Sequence, residues 1–163
     1  MAFLIDGNNF LGYAAEIGFF PGGRGQLLSW LQKLGFISKS RILLVFDGPP
    51  DPSLAQFDYI HEKSVRIYYP PPGETADDVL KEKIDRHPDP RSLTVVSSDR
   101  EIRDHAKSRG AKTRNCPQFF KELKAASRQF NELRSEEKEE VNLSPLDLDL
   151  WMDVFSIKEN KGK

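Results

Sequence analysis

The sequence has very few of the residues that build disulfide frameworks and zinc sites. It contains one cysteine, Cys116, and only three histidines, His61, His87 and His105. A single cysteine excludes a disulfide framework within the chain and fits a reducing, cytoplasmic setting. The histidines are far apart and pair with no cysteine at the spacing of a zinc site. The function therefore has to be sought in other side chains.

Long apolar runs are also missing. No stretch approaches the length of a transmembrane helix, so we expect no membrane partner. The first residues are already typical of a strand, without the charged leader and apolar segment of a signal peptide, so we expect no secretion. Both expectations agree with a cytoplasmic protein.

Net charge does not indicate a polyanionic partner, because 24 Lys and Arg face 25 Asp and Glu. The distribution of charge is more informative. Residues 100–114 contain six Lys and Arg against two acids, and residues 132–153 contain eight acids against Arg134 and Lys138. The basic stretch is suited to steering phosphate toward the chain. Ordinary solvated helix faces are the alternative explanation.

Apolar runs alternate with amphipathic segments along the chain, which predicts an α/β domain. We predict strands at residues 2–5, 41–46, 65–69, 93–96 and 111–113. Helices are predicted at residues 10–17, 24–34, 75–87, 99–109 and 117–130, with Gly35 as the stop of the second. Right-handed crossovers then give a three-layer α/β/α domain with a largely parallel, about five-stranded sheet.

Composition also divides the chain. Residues 1–130 hold the alternating pattern and form the predicted domain. Residues 131–142 are highly charged and are predicted to be a linker. Residues 143–157 regain apolar side chains and are predicted to dock on the domain, whereas residues 158–163 are predicted to be a disordered tail.

The most informative feature is a set of four aspartates near the ends of predicted strands. The strand-end aspartates are Asp6, Asp47, Asp77 and Asp99. The carboxyl ends of parallel strands face one crevice, and like charges crowded there raise one another's pKa. A hard divalent cation such as Mg²⁺, with oxygen ligands and substrate phosphate, resolves this conflict. The leading hypothesis is metal-assisted hydrolysis of a phosphodiester bond.

Each strand-end aspartate also has a structural alternative. Asp6 and Asp47 are typical turn or cap residues, and Asp99 suits the positive end of a helix dipole. Asp77 lies at the edge of its helix's buried stripe, whereas Asp78 points the opposite way. Thr75 and Asp78 also have the spacing of a capping box. Asp77 is therefore the predicted ligand.

Further polar residues beside these positions are candidates for catalysis or substrate binding. They are Asn8, Asn9, Ser97, Ser98, Arg100, Arg103, Lys107 and Asp78. Asn8 and Asn9 could orient Asp6 or bind a water on the metal, although turn chemistry alone explains asparagine in such loops. The serines could contact phosphate or cap a helix, and Ser98 has the spacing of a capping box with Glu101. Arg100 and Arg103 are candidates for phosphate contacts alongside Lys107, because the planar guanidinium group matches phosphate geometry. The alternative is that these residues only form the solvated face of a helix.

Four short segments resemble the NYN nucleases, especially the bacterial YacP-like group. Residues 4–9 (LIDGNN) resemble that family's Asp-Gly-Tyr-Asn opening, and residues 74–77 (ETAD) its Glu-Thr-Ala-Asp motif. Residues 96–100 (VSSDR), followed by Gly110 and Ala111, resemble its Thr-Ser-Asp…Gly-Ala segment. Residues 45–48 (VFDG) are similar to its second-strand motif and to a motif of flap-type nucleases.

The resemblance implies a PIN-like fold, dependence on Mg²⁺ or Mn²⁺, and cleavage of RNA. It places the catalytic and metal-binding acids at Asp6, Asp77 and Asp99, with Asp47 beside them and Asn9 as the family's asparagine. Asn8 stands where the family usually has tyrosine, so a stacking role is not carried over. For some YacP-like proteins the resemblance further implies messenger RNA as substrate and the ribosome as partner.

The sequence thus predicts a metal-dependent endoribonuclease. A structure-specific DNA nuclease is a second hypothesis, but the chain looks too short for the additional helical region that flap-type enzymes need. A non-catalytic RNA- or ribosome-binding module of the same fold is a third. Its signature would be a broken acid set, whereas the set here is intact.

Overall fold

The structure, a computed structural model, describes residues 1–19, 23–55 and 64–140. Its centre is a five-stranded sheet in the order β3-β2-β1-β4-β5. The strands are β1 (Ala2–Asp6), β2 (Arg41–Val45), β3 (Val65–Tyr68), β4 (Leu93–Val96) and β5 (Lys112–Arg114). Every neighbouring pair is parallel. The predicted five-stranded parallel sheet is confirmed.

Five α-helices cover the sheet within the described residues. They are α1 (Gly7–Glu16), α2 (Gly23–Ser38), α3 (Ala76–Arg86), α4 (Arg100–Ser108) and α5 (Cys116–Glu140). Short 3-10 turns occur at Pro52–Leu54 and Pro90–Ser92. Helices therefore connect β1 to β2, β3 to β4 and β4 to β5, as is usual for parallel pairs, whereas the connection from β2 to β3 lies partly outside the described residues.

Two apolar cores lie on opposite faces of the sheet. One contains side chains of α1, α2 and α5, such as Phe10, Leu31 and Phe119. The other contains side chains of α3 and α4, such as Leu80 and Ile102. Since helices bury their apolar stripes against both faces, the predicted three-layer α/β/α arrangement is confirmed.

Two predicted helix ends are wrong. Helix α2 continues through Gly35 to Ser38. A Cβ atom at Gly35 would lie only 2.9 Å from Cβ of Ser64, so glycine here permits a close approach rather than ending the helix. Helix α5 continues past residue 130 to Glu140, so the first part of the predicted linker is helical.

Contacts between residues divide the chain after Phe130. The boundaries at residues 131–142, the docking of residues 143–157 and the disorder of residues 158–163 stay predictions, and the last two lie outside the described residues. Among the described helices, none is both long enough and apolar enough to cross a membrane.

Candidate functional site

The candidate site lies at the carboxyl edge of the sheet, where the strand order reverses. Strands β2 and β3 lie on one side of β1, and β4 and β5 lie on the other. Helices leave β1 and β4 on opposite faces, so a crevice opens between these two strands. Asp6 is the last residue of β1, Asp47 and Asp99 follow β2 and β4, and Asp77 is the second residue of α3.

Asp6 is the buried member of the cluster. Its side chain is only 6% exposed, and Oδ2 accepts a hydrogen bond of 3.1 Å from the hydroxyl of Ser97. The Ser97 oxygen in turn accepts the backbone N–H of Asp99 at 3.0 Å. A continuous chain of hydrogen bonds thus joins the ends of β1 and β4. Asp6 is the N-cap residue of α1; its side chain makes no close capping hydrogen bond, although the backbone N–H of Asn9 in the first turn lowers its pKa.

The charge of Asp6 is costly in this position. Burial raises its pKa from 3.8 to about 6, and repulsion from Asp77 and Asp47 adds to the rise, against the hydrogen bond from Ser97. Desolvation disfavours the ionised carboxylate, and neighbouring negative charges act in the same direction. A cation bound at this position would offset both effects.

Asp77 connects the cluster electrostatically. Partial burial raises its pKa, and repulsion from Asp99, from Asp47 and from the rim residue Glu101 raises it further, whereas Lys81 opposes the rise. Together with its repulsion of Asp6, Asp77 interacts with all three of the other strand-end aspartates. Asp77 therefore lies within electrostatic range of the other three carboxylates, and their joint role as metal ligands stays a prediction.

Asp47 and Asp99 each use one oxygen to fasten a helix. Oδ1 of Asp47 accepts the backbone N–H of Ala76 at 2.7 Å, which holds the first turn of α3 against the end of β2. Oδ1 of Asp99 accepts the backbone N–H of Glu101 at 2.9 Å and caps α4. The helix-terminus alternative therefore holds for Asp99, whereas Asp47 contacts a helix distant along the chain and its alternative as a turn residue stays untested.

The predicted capping box between Ser98 and Glu101 is wrong, because Asp99 caps α4 instead. The Ser98 hydroxyl accepts the backbone N–H of Cys116 at 3.0 Å. Oδ1 of Asn9 accepts the backbone N–H of Ser98 at 2.8 Å and the thiol of Cys116 at 3.1 Å. Burial raises the pKa of that thiol, which keeps it protonated and able to donate.

Asn9 is therefore a bridge between three segments, with both lone pairs of its oxygen in use. Only its amide NH₂ group is available to contact a substrate or an aspartate. Asn8 is exposed in the first turn of α1. The contact of Cys116 with Asn9 was not predicted from the sequence. The two residues are more than a hundred positions apart, so no local pattern indicates the contact.

Asp78 is a structural residue in this fold. Its Oδ2 accepts the backbone N–H of Thr75 at 3.0 Å, and its own N–H donates to the Thr75 hydroxyl at 3.2 Å. These bonds lower the pKa of Asp78, whereas the pKa of the adjacent Asp77 is raised. The predicted capping box is confirmed.

The three basic candidates differ in position. Arg100 is 88% exposed and pairs with Asp104 at 3.6 Å. Arg103 is one turn beyond Asp99, and its Nε is buried without a hydrogen-bond partner. Lys107 lies in the last turn of α4, about 12 Å along the axis from Asp99. The fold brings Arg103 close to the cluster and keeps Lys107 away from it.

The cluster suits a cation that needs few direct protein ligands. No group of three or more His, Cys, Asp or Glu among the described residues is arranged to hold a metal ion. The strand-end aspartates supply oxygen ligands only, and Mg²⁺ usually keeps several waters while binding one or two carboxylates and substrate phosphate. Asp6 and Asp77, whose raised pKa values reflect uncompensated charge, are the best placed to hold it.

The raised pKa of Asp6 predicts an unusual pH dependence of stability. Because the folded protein keeps a proton on Asp6 that the unfolded chain has lost, ionisation between pH 3.8 and about 6 destabilises the fold. In EDTA, we expect the stability of the wild type relative to Asp6→Asn to fall by about 3 kcal/mol as the pH rises through this window.

Urea unfolding of both proteins at a series of pH values measures this difference. The comparison with Asp6→Asn cancels the opposite contribution of Asp51 and Asp78, whose lowered pKa values favour folding above their ordinary range. Two stability curves that stay parallel from acid to neutral pH would show that Asp6 carries no buried charge.

Comparisons with known proteins agree with this architecture. The family model of the YacP-like NYN domain matches residues 3–155. A crystal structure of Rae1 (YacP) from Bacillus subtilis is similar with a TM-score of 0.68 and 18% identity, over 98% of this chain and 92% of that chain. A crystal structure of a Rae1 variant with one tryptophan replaced by leucine is similar with a TM-score of 0.64 and 16% identity. That match covers 89% of this chain and 86% of the variant's chain. No curated protein matches significantly. At these identities the structures establish the PIN-like fold.

Proposed function

Because the chain belongs to the YacP-like NYN domain family, a ribonuclease family, we propose that it is a metal-dependent endoribonuclease. It hydrolyses RNA phosphodiester bonds at the carboxyl edge of the sheet, with Mg²⁺ or Mn²⁺ as cofactor. One observation carries the proposal: hydrogen bonds join Asp6 through Ser97 to Asp99, and Asp47 to the start of α3 beside Asp77, so acids from separate parts of the chain lie at one edge of the sheet. A bound cation would stabilise charge on the scissile phosphate and lower the pKa of the attacking water.

The chain's own residues position the acids for this reaction. The Ser97 hydroxyl donates to Oδ2 of Asp6 and so fixes the orientation of this carboxylate. Asp47 accepts the backbone N–H of Ala76 and so fixes the start of α3. Because Asp77 is the next residue of this helix, its position is fixed as well. These contacts keep the carboxylates in place despite their mutual repulsion, which is the preorganisation that a catalytic site needs.

Hydrogen-bond donors around the cluster are candidates for contacts with the substrate. Arg103 is partly exposed one turn beyond Asp99, so its guanidinium is a candidate donor to a phosphate oxygen, although its Nε is buried without an acceptor. The amide NH₂ of Asn9 and the exposed Asn8 and Arg100 are further donors. Ser98 is occupied by the backbone of Cys116, so we assign it a positioning role.

Covalently closed circular RNA gives the sharpest test of the proposed activity. We expect the protein to linearise the circle in Mg²⁺ or Mn²⁺, because only internal cleavage can open it, and to leave it intact in EDTA. Single-stranded RNA and a flap DNA are compared under the same conditions. Preferred cleavage of the flap would identify a DNA nuclease. Binding without cleavage in either metal would identify a non-catalytic RNA- or ribosome-binding module.

We extend the proposal to messenger RNA as the substrate and the ribosome as the partner, on the strength of the family resemblance. Cleavage of a messenger RNA is compared free and on stalled ribosomes, with mapping of the new ends. A ribosome-dependent site that is absent from the free RNA supports this extension, and identical cleavage patterns would contradict it without affecting the nuclease assignment.

A further inference from the structure

A basic groove runs from the amino ends of β1 and β2 toward Tyr68, the last residue of β3, and contains none of the aspartates of the cluster. It is a cavity of about 880 Å³ on the face of the sheet that α3 covers. Its described lining includes Arg41, Arg66, Lys83 and His87 and no aspartate or glutamate. These four residues define the basic groove. Three permanent positive charges in one concavity create a local potential that attracts anions.

The alternation of side chains along parallel strands explains why the charges converge. Leu43 is the register partner of both Leu4 and Arg66, so these three side chains lie on the same face of the sheet. Arg41 and Tyr68 lie two residues away from members of this set and share that face. The groove therefore has an apolar floor with cations on adjacent strands.

The arginines of the groove form no ion pair with any described residue, a property that they share with some surface cations but not with every arginine. Arg86, Arg109 and Arg114, for example, each pair with an acid at 3.1 Å or less. Neither Arg41 nor Arg66 has such a partner. Repulsion between uncompensated cations is unfavourable, and an anionic ligand would relieve it.

One end of the groove adjoins the candidate active site. Tyr68 pairs in register with Val45, two residues before Asp47. The ammonium of Lys83 lies 4.6 Å from the centre of the Tyr68 ring, which positions that cation inside the groove. Lys83 also follows Asp77 on α3 by six residues, about 9 Å along the helix axis.

We infer that the basic groove binds the phosphodiester backbone of single-stranded RNA beyond the bond that is cut. This inference rests on the proposed function, because it assigns a second contact region to the same substrate. A strand leaving the aspartate cluster past Tyr68 would meet Lys83 and then Arg66 and Arg41 along about 13 Å of sheet. The groove contributes to the affinity for RNA and orients the strand, without contacting the reacting phosphate.

The test compares two double variants with equal changes in charge. Arg41→Gln with Arg66→Gln alters the groove, and Lys121→Gln with Arg128→Gln alters exposed positions on α5. Binding of a long single-stranded RNA is measured by fluorescence anisotropy in EDTA over about 50–200 mM salt. Melting temperatures of both variants are expected to equal that of the wild type, since all four residues lie at the surface.

We expect the groove variant to bind long RNA about tenfold more weakly. The slope of the logarithm of the binding constant against the logarithm of the salt concentration should be less steep by about 1.4, because two phosphate contacts are lost. The α5 variant should bind as the wild type does. In Mn²⁺, a short RNA that spans only the cleaved bond should be cut at the wild-type rate by both variants.

Equal losses in both variants, or unchanged binding in the groove variant, would overturn the inference; unchanged binding would point to another ligand such as an acidic peptide. Slower cleavage of the short RNA by the groove variant would also overturn it. The binding measurement needs no catalysis. A failure of the groove is therefore distinguishable from a failure of the proposed nuclease activity.

Discussion

Replacement of Asp77 by asparagine is expected to lower the rate of RNA cleavage by at least about 10³-fold and to raise the melting temperature in EDTA. Stabilisation of phosphate charge by a bound cation contributes several kcal/mol to catalysis, and Asp77 is the carboxylate that interacts with all of the other three. Its raised pKa means that ionisation above about pH 4 disfavours the folded state, so a neutral side chain stabilises the fold. Single-turnover cleavage and thermal unfolding measure the two effects.

Asp78→Asn is the matched control, since it removes the same charge one residue away in the same turn of α3. The hydrogen bonds with Thr75 lower the pKa of Asp78, so its ionised form stabilises the helix. We therefore expect Asp78→Asn to lower the melting temperature slightly and to leave cleavage unchanged. A large catalytic loss in Asp78→Asn together with full activity in Asp77→Asn would reverse the two assignments.

Added Mn²⁺ separates the metal site from general electrostatics. It should raise the melting temperature of the wild type more than that of Asp77→Asn, because a ligand that binds only the folded state stabilises it by an amount that grows with its affinity. Equal shifts in the two proteins would show that Asp77 does not hold the ion. In that case the raised melting temperature in EDTA would report only relief of repulsion.

Gly7→Ala is expected to destabilise the protein by about 3 kcal/mol and to lower its melting temperature by about 10 °C. A Cβ atom at Gly7 would lie 2.6 Å from two ring atoms of Phe46 and 2.8 Å from the carbonyl oxygen of Val45. The ring is fully buried and lies under the guanidinium of Arg24, so it has little room to move. Urea and thermal unfolding measure the loss.

The same substitution should also impair cleavage. Gly7 directly follows Asp6, and Phe46 directly precedes Asp47, so any shift that relieves the clash separates these two carboxylates. Gly12→Ala is the control in the same helix, because its Cβ would meet nothing within 4 Å. It should stabilise the protein by about 0.5–1 kcal/mol through helix propensity alone. Equal stability of the two variants would show that the close packing at Gly7 is not rigid.

Much of the architecture follows from short-range patterns that the sequence displays directly. The apolar runs that end near Asp6, Asp47 and Asp99 form strands. Helices cover both faces of a parallel sheet, so its central strands have to be apolar on both sides. Thr75 and Asp78 form the expected capping box because its partners are only three residues apart. Helical periodicity likewise assigned different roles to Asp77, the predicted ligand, and Asp78, the predicted capping residue. Each of these features depends on residues within one turn or one strand.

The contacts that organise the candidate site depend on the tertiary structure instead. Ser97 reaches Asp6 only because β4 pairs with β1, and Asp47 reaches the start of α3 only because of where the crossover places that helix. Asn9 meets Cys116 across more than a hundred residues. The sequence by itself determined the alternation of strands and helices and which acids stand near strand ends. Strand order and helix packing decided their hydrogen-bond partners, because those partners are distant along the chain and no local propensity encodes them.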